Sequence, residues 1–225
     1  GSRDVWLFNN ATSRCFGGLE IKAHATSSAA STVKIVGHLS IDDHRAFNFR
    51  HIGHHQATDP TSQTAYNIIA TRLIAQTPKY TELYANSKPR ALVVSAYRNV
   101  VIHDFTVLGD PYYDYQEQPM IGIQYKARNV TISQLKMSGF RQAKTDIQIF
   151  GGENGAEDVR LRDIRIEDSA KHGITIGPDI THVKLTNVAL KGDGTVGLNA
   201  KSEPEMERFI ATGFKVPIRA QSTQV

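Results

Sequence analysis

Arg98-Asn-Val-Val-Ile-His-Asp-Phe-Thr-Val107 and Arg128-Asn-Val-Thr-Ile-Ser-Gln-Leu-Lys-Met137 carry one pattern twice. It returns as Glu157-Asp-Val-Arg-Leu-Arg-Asp-Ile-Arg-Ile166, Thr181-His-Val-Lys-Leu-Thr-Asn-Val-Ala-Leu190 and Glu207-Arg-Phe-Ile-Ala-Thr-Gly-Phe-Lys-Val216. From Val100 to Val130, Val159, Val183 and Phe209 the steps are 30, 29, 24 and 26 residues. Periods of this length mark a solenoid rather than a compact α/β domain. Each unit reads apolar-x-apolar, one polar or glycine residue, then apolar-x-apolar: two short alternating strands joined by a tight bend. Asp104, Gln134, Asp163, Asn187 and Gly213 fall on the bend. Asn, Asp and Gly tolerate the left-handed backbone a bend requires, so Asp104 and Asp163 are expected to be structural.

A further strand precedes the pair in each unit: Ile121–Tyr125, Asp146–Ile149, His172–Ile176 and Val196–Ala200, with Leu92–Val94 as an earlier member. Three strands per coil, repeated, predict an all-β, right-handed parallel β-helix. Gly18–Lys22 and Val33–Ile41 read as earlier coils of the same kind. Between residues 62 and 86 the period turns helical, with Tyr66, Ile69, Leu73 and Ile74 on one face and Thr77-Pro78 able to stop one helix and start another. A helical insertion on the flank of one β-helix domain is the expectation there.

Composition agrees with a folded chain and adds little: 225 residues, 40% hydrophobic, formal net charge +4. That charge suits weak attraction to an acidic polymer and is too small to argue for nucleic acid. No apolar run is long enough to span a membrane and no leader opens the chain, so no membrane partner is expected. Gly1-Ser2 reads as an appended scar, and the strand pattern right behind it as the interior of a longer array. The one cysteine, Cys15, rules out an internal disulfide and reads as a small buried hydrophobe. His38, His44, His51, His54 and His55 crowd one region, yet no cysteine or carboxylate completes a recognised ligand spacing, so neither metal nor cofactor is expected.

The Asn-Val-Thr-Ile pattern, its polar bend and the following Gly-Ile-x-Ile strand resemble the pectate-lyase-like β-helix superfamily over roughly Leu92 to Val216. That superfamily includes pectin-degrading enzymes, uronan lyases and epimerases, polygalacturonases and phage tailspikes. The resemblance implies a polysaccharide site on the outer face of the third strand, an extracellular or virion-associated setting, and a homotrimeric parent. With apolar residues inward, the outward stripe reads Gln124, Gln148, Thr175 and Asn199, followed by Lys126, Phe150, Gly177 and Lys201. The loop 108–119, with Tyr112, Tyr113, Tyr115, Asp114 and Glu117, could form one wall, and 151–157 the other.

Hydrolysis of a glycosidic bond needs two carboxyl groups at set spacing, and Asp146 with Asp114 or Glu117 is the candidate pair. A lyase or epimerase needs a base and a cation beside a uronate, for which Lys126, Arg141, Lys144, His172 and Lys201 are candidates. A non-catalytic adhesin or spacer is the third reading. Lys171-His-Gly-Ile-Thr-Ile-Gly177 is similar to the His-Gly segment of polygalacturonases. Their paired aspartates, however, fall here on Lys144 and Thr145, with Asp146 one place late. Their later arginine falls on Asn199, while the accompanying lysine matches Lys201. The backbone plan is shared; that enzyme's chemistry is not expected.

Overall fold

The computed structural model describes residues 2–23, 29–51, 65–79, 87–115, 118–169 and 171–220. Long and short strands alternate along the chain. The long ones are β1 (Arg3–Ser13), β3 (Ser31–Ile41), β5 (Ala65–Gln76), β7 (Tyr97–Leu108), β9 (Arg128–Ser138), β11 (Glu157–Ser169), β13 (Val183–Gly192) and β15 (Glu205–Thr212). The short ones are β2 (Gly17–Ala23), β4 (Arg45–His51), β6 (Arg90–Ser95), β8 (Pro119–Gln124), β10 (Thr145–Ile149), β12 (His172–Ile176), β14 (Val196–Ala200) and β16 (Val216–Ala220). Each set stacks in chain order into one eight-stranded parallel sheet, so the chain is a parallel β-solenoid. A long strand and the short strand after it form one rung.

The long strands are bent strands rather than straight ones. A first left-handed residue recurs at Asn67, Asn99, Asn129, Asp158 and His182, and a second at Arg72, Asp104, Gln134, Asp163, Asn187 and Arg208. Each shifts the alternation by one residue, so the chain turns while apolar side chains stay inside: Val100, Ile102, Phe105 and Val107 are all buried around Asp104. The first bend stacks into an amide ladder. Asn99 Nδ2 donates to Asn67 Oδ1 at 3.0 Å, Asn129 Nδ2 to Asn99 Oδ1 at 2.9 Å, and Arg160 to Asn129 Oδ1 at 2.8 Å. Asn99→Val puts a β-branched residue at φ 56° and removes two of these bonds. It is expected to cost about 2 kcal/mol in urea melts, with Asn99→Gly costing less.

Two expectations are corrected. Residues 65–76 are strand β5, paired between β3 and β7, and no helix occurs among the described residues. Ile68, Ala70, Leu73 and Ala75 point inward while Ile69 and Ile74 point out. Residues 62–64 and 80–86 of the expected insertion lie outside the described residues. In the last unit the repeat slides by five positions: Phe209 lies beside Val188 rather than Val183, so Arg208 takes the bend. Gly213 instead follows β15, where a Cβ would sit 2.1 Å from the Gly192 carbonyl oxygen.

The core is largely apolar from β5 onward, Asp146 and Ser169 excepted, and more polar at its first rungs. There Asp43, fully buried, accepts hydrogen bonds from the Thr12 and Ser40 hydroxyls, both at 2.6 Å, and from the Cys15 N–H at 2.7 Å. These donors satisfy the buried carboxylate. Cys15 itself is exposed, contrary to the buried reading. His38, His44 and His51 are buried, and no metal-binding cluster forms among the described residues; His54 and His55 lie outside them.

Candidate functional site: a cationic face on the short-strand sheet

The short strands carry a kink that strict alternation does not foresee. Near the start of β4, β6, β8 and β10, two successive side chains turn inward: Ala46 and Phe47, Ala91 and Leu92, Met120 and Ile121, Asp146 and Ile147. A Cβ on Gly173, the neighbour of Asp146 in the next rung, would point at the core residue Leu190. Three outward columns remain. The first holds Arg45, Arg90, Pro119, Thr145 and His172; the second Glu20, Asn48, Val93, Gly122, Gln148, Thr175, Asn199 and Arg219; the third Lys22, Arg50, Ser95, Gln124, Phe150 and Lys201.

Gln148, Thr175 and Asn199 thus form the ladder the sequence predicts. Gln124 belongs one column over, beside Ser95, and Gly122 takes its expected place. Lys201 lies where expected. Lys126 does not: it follows β8 in a left-handed conformation, and its N–H donates to the Asn154 and Gly155 carbonyls of the 151–157 loop.

Asp146 is the largest departure. Its side chain lies inside the solenoid, 2% exposed, with Oδ2 unbonded. Burial pushes its carboxyl up to about 8, opposed by the Ser169 hydroxyl, so the group is neutral at pH 7. It cannot reach a polymer on the outer face. Asp114 is exposed on the loop after β7, and Glu117 lies outside the described residues. In the same loop Tyr115 is the buried anchor, its hydroxyl accepting the Asp110 N–H at 2.8 Å and its ring packing on Phe140 and Tyr113. Tyr112 stands 93% exposed. Arg141 is tied to Asp193 at 2.6 Å on an exposed loop. His172 faces outward, and burial with Arg219, Lys144 and Lys171 disfavours its protonation.

An open cavity of about 450 Å³ lies over the columns of β4 to β10. Arg45, Arg50, Arg90 and Lys144 supply charge; Asn48, Gln118, Gln124 and Gln148 supply amides; Tyr125 and Phe150 supply ring faces. Gly122 lets Arg90 lie across the sheet, since a Cβ there would sit 3.0 Å from its Nη1. Arg90 donates to Gln118 Oε1 at 2.9 Å and Gln124 Oε1 at 3.2 Å, both neutral partners. Burial and the nearby Arg45 and Arg50 lower its pKa to about 10, and burial with Arg50 also lowers that of Arg45. The Nε atoms of Arg45 and Arg50 are buried and unbonded. No carboxylate lines the cavity among the described residues. Glu20, the one carboxylate in the three columns, is bound by Asn48 at 2.8 Å and lies 3.8 Å from Lys22.

These arginines are not apparent from the strand periodicity, which does not mark β4. A signal was present: Arg45-Ala-Phe47 and Arg90-Ala-Leu92 are the same outward-inward-inward triplet.

No protein-family model matches the chain. It is 45% identical over 201 residues to a putative phage-related protein, YobO, of Bacillus subtilis. It is 37% identical over 230 residues to the pre-neck appendage protein of Bacillus phage phi29. It spans 25% and 27% of those relatives' lengths. A crystal structure of pre-mature phi29 gene product 12 superposes with a TM-score of 0.87 at 35% identity, over the whole of this chain and 30% of that one. The chain is a β-solenoid homologous to a segment, about a quarter in length, of virion-associated pre-neck appendage proteins of phages.

Proposed function

We propose that the chain is the polymer-gripping segment of a virion appendage, a tailspike-type solenoid of the pectate-lyase-like kind. Its short-strand face binds an acidic polysaccharide at a host surface, as part of a multimeric, trimeric assembly. The observation that carries this is the cavity of clustered, half-buried arginines, lined by no carboxylate among the described residues, with Glu20 beside it offsetting part of the charge on Arg45. Such a cluster is electrostatically costly when empty, and an anionic ligand relieves that cost. Amides that both donate and accept, with ring faces beside them, suit a sugar polymer better than a bare inorganic anion. Gripping is favoured over cleavage because the described lining offers cations and amides without a carboxylate pair.

The test is binding of this chain to a polyuronate, a phosphate-bearing capsular polymer and neutral dextran across a salt series. Reducing ends and absorbance at 235 nm report any cleavage. Acidic polymers should bind with affinity falling as salt rises, dextran should not bind, and polymer length should stay unchanged. Arg90→Ala and Arg50→Ala should each weaken binding about tenfold or more, against no change for the remote Lys191→Ala. Equal binding to dextran, or full affinity in a folded Arg90→Ala variant, would sink the reading.

A further inference from the structure

Charge is sorted between the two sheets. The short strands from β4 to β16 place no carboxylate on their outer face, since the one acid among them, Asp146, points inward. The long strands hold acids freely, β11 alone carrying Glu157, Asp158, Asp163, Glu167 and Asp168. Cations there are answered locally: Arg160 by Asp158 at 2.7 Å, Arg128 by Glu157 at 3.2 Å and Lys184 by Glu205 at 3.6 Å. On the short-strand side Lys144, Lys201 and Arg219 have no such ion pair among the described residues. The cationic face therefore continues past the arginine cavity. Lys144 lines that cavity and also acts on His172 in the next rung, as does Arg219 from β16, two rungs further on. Lys201 flanks them in the third column, and Thr175 and Asn199 lie between in the second. From β4 to β16 there are six strand steps, about 29 Å in all.

We propose that Lys144, His172, Lys201 and Arg219 form a second anion subsite, that one acidic polysaccharide chain lies along the solenoid axis over both subsites, and that His172 takes up a proton as the chain is seated. The subsite rests on the reading of the arginine cavity as a polysaccharide site, and it gives that ligand a direction, a minimum length and a pH dependence. The charges that act on His172 are Lys144, Lys171 and Arg219, all cationic. Asp146 in the adjoining strand points to the core, and Asp193, on the loop before β14, is held by Arg141 at 2.6 Å. An imidazole among three cations stays neutral, and its Nδ1 is buried with no hydrogen-bond partner. A sugar carboxylate between Lys144 and Arg219 offsets their repulsion, so the ring gains a proton from solvent and becomes a fourth cation on the ligand. Because both subsites share Lys144, a chain held in the cavity reaches the second one without a new encounter, and length adds affinity.

The test is titration calorimetry of this chain with trigalacturonate, short enough for one subsite, and decagalacturonate, long enough for both. At pH 7 the longer oligomer should bind about tenfold tighter or more. Arg219→Ala should remove most of that advantage and leave trigalacturonate within about twofold, whereas Arg90→Ala should weaken both oligomers. From pH 7.5 to 5.5 the sugar carboxylates stay ionised, yet decagalacturonate should tighten about fivefold in the wild type and stay level in His172→Gln. Buffers of different ionisation heat should register proton uptake in the wild type that His172→Gln lacks. Equal affinity for the two oligomers, or full decagalacturonate affinity in Arg219→Ala while Arg90→Ala loses it, would overturn the second subsite and leave the cavity reading standing. A pH slope that survives in His172→Gln would overturn the role of the imidazole. Binding of neither oligomer would overturn both readings together.

Discussion

Replacing Asp146 by asparagine is expected to stabilise the protein at pH 8 by on the order of 5 kcal/mol and to leave it almost unchanged at pH 4. The folded carboxyl has a pKa of about 8 against an ordinary 3.8, because it is enclosed with no cation beside it. A raised acid pKa means that the fold prefers the protonated form. Its contribution is complete below about pH 4, is lost as pH rises towards 8, and changes no further above that. Each pH unit between is worth about 1.4 kcal/mol. His44, whose pKa burial pushes down to about 4, titrates alike in both proteins and cancels in the difference. Urea melts of the two proteins at pH 4, 6 and 8 should show a gap that widens and then levels off. A gap independent of pH would show that Asp146 is not an enclosed acid.

Ala70→Asp should cost about 4 kcal/mol or more, and Thr71→Asp less than about 1 kcal/mol. Ala70 is fully buried between Ile35 and Ile102, so an aspartate there puts an unpaired charge in the core. Thr71 faces outward beside Val36 and His103. For a chain of this size the first change should lower the melting temperature by roughly 10 °C and the second by only a few degrees. Comparable losses at the two neighbours would contradict the strand assignment of β5.

The misreading of β5 has a physical origin. The left-handed Arg72 shifts the alternation, so inward residues run 68, 70, then 73, 75. Apolar residues also occupy outward positions at Ile69 and Ile74, and the sum of the two sets imitates a helical stripe. Where outward positions are polar, as in β9 and β11, the pattern was legible down to its bends, even at Gln134, a residue type that seldom favours them. The last unit departs from the sequence repeat because its glycine, Gly213, follows the strand while Arg208 occupies the bend.

The site was legible where alternation holds and lost where it breaks. Gln148, Thr175, Asn199 and Lys201 sit past the short-strand kink and point as expected. Asp146 sits on the kink, where one inward turn carried the leading catalytic candidate from the groove into the core. Sequence periodicity has no mark for that turn except small or apolar residues at Ala46, Ala91 and Met120 in the preceding rungs.

The stacked columns also separate two selective pressures that most folds entangle. Inward residues determine whether a rung closes; outward residues on the same strands determine what the surface grips. With strands about 4.8 Å apart, the four rungs under the cavity span about 14 Å, and each outward side chain can be exchanged without disturbing packing beneath it. On the proposed reading, an appendage of this design could follow a change in its host's coat by point replacements at Arg45, Asn48, Arg50, Arg90 or Gln148 while retaining the same scaffold. Gain or loss of a whole rung would lengthen or shorten its reach by one fixed increment.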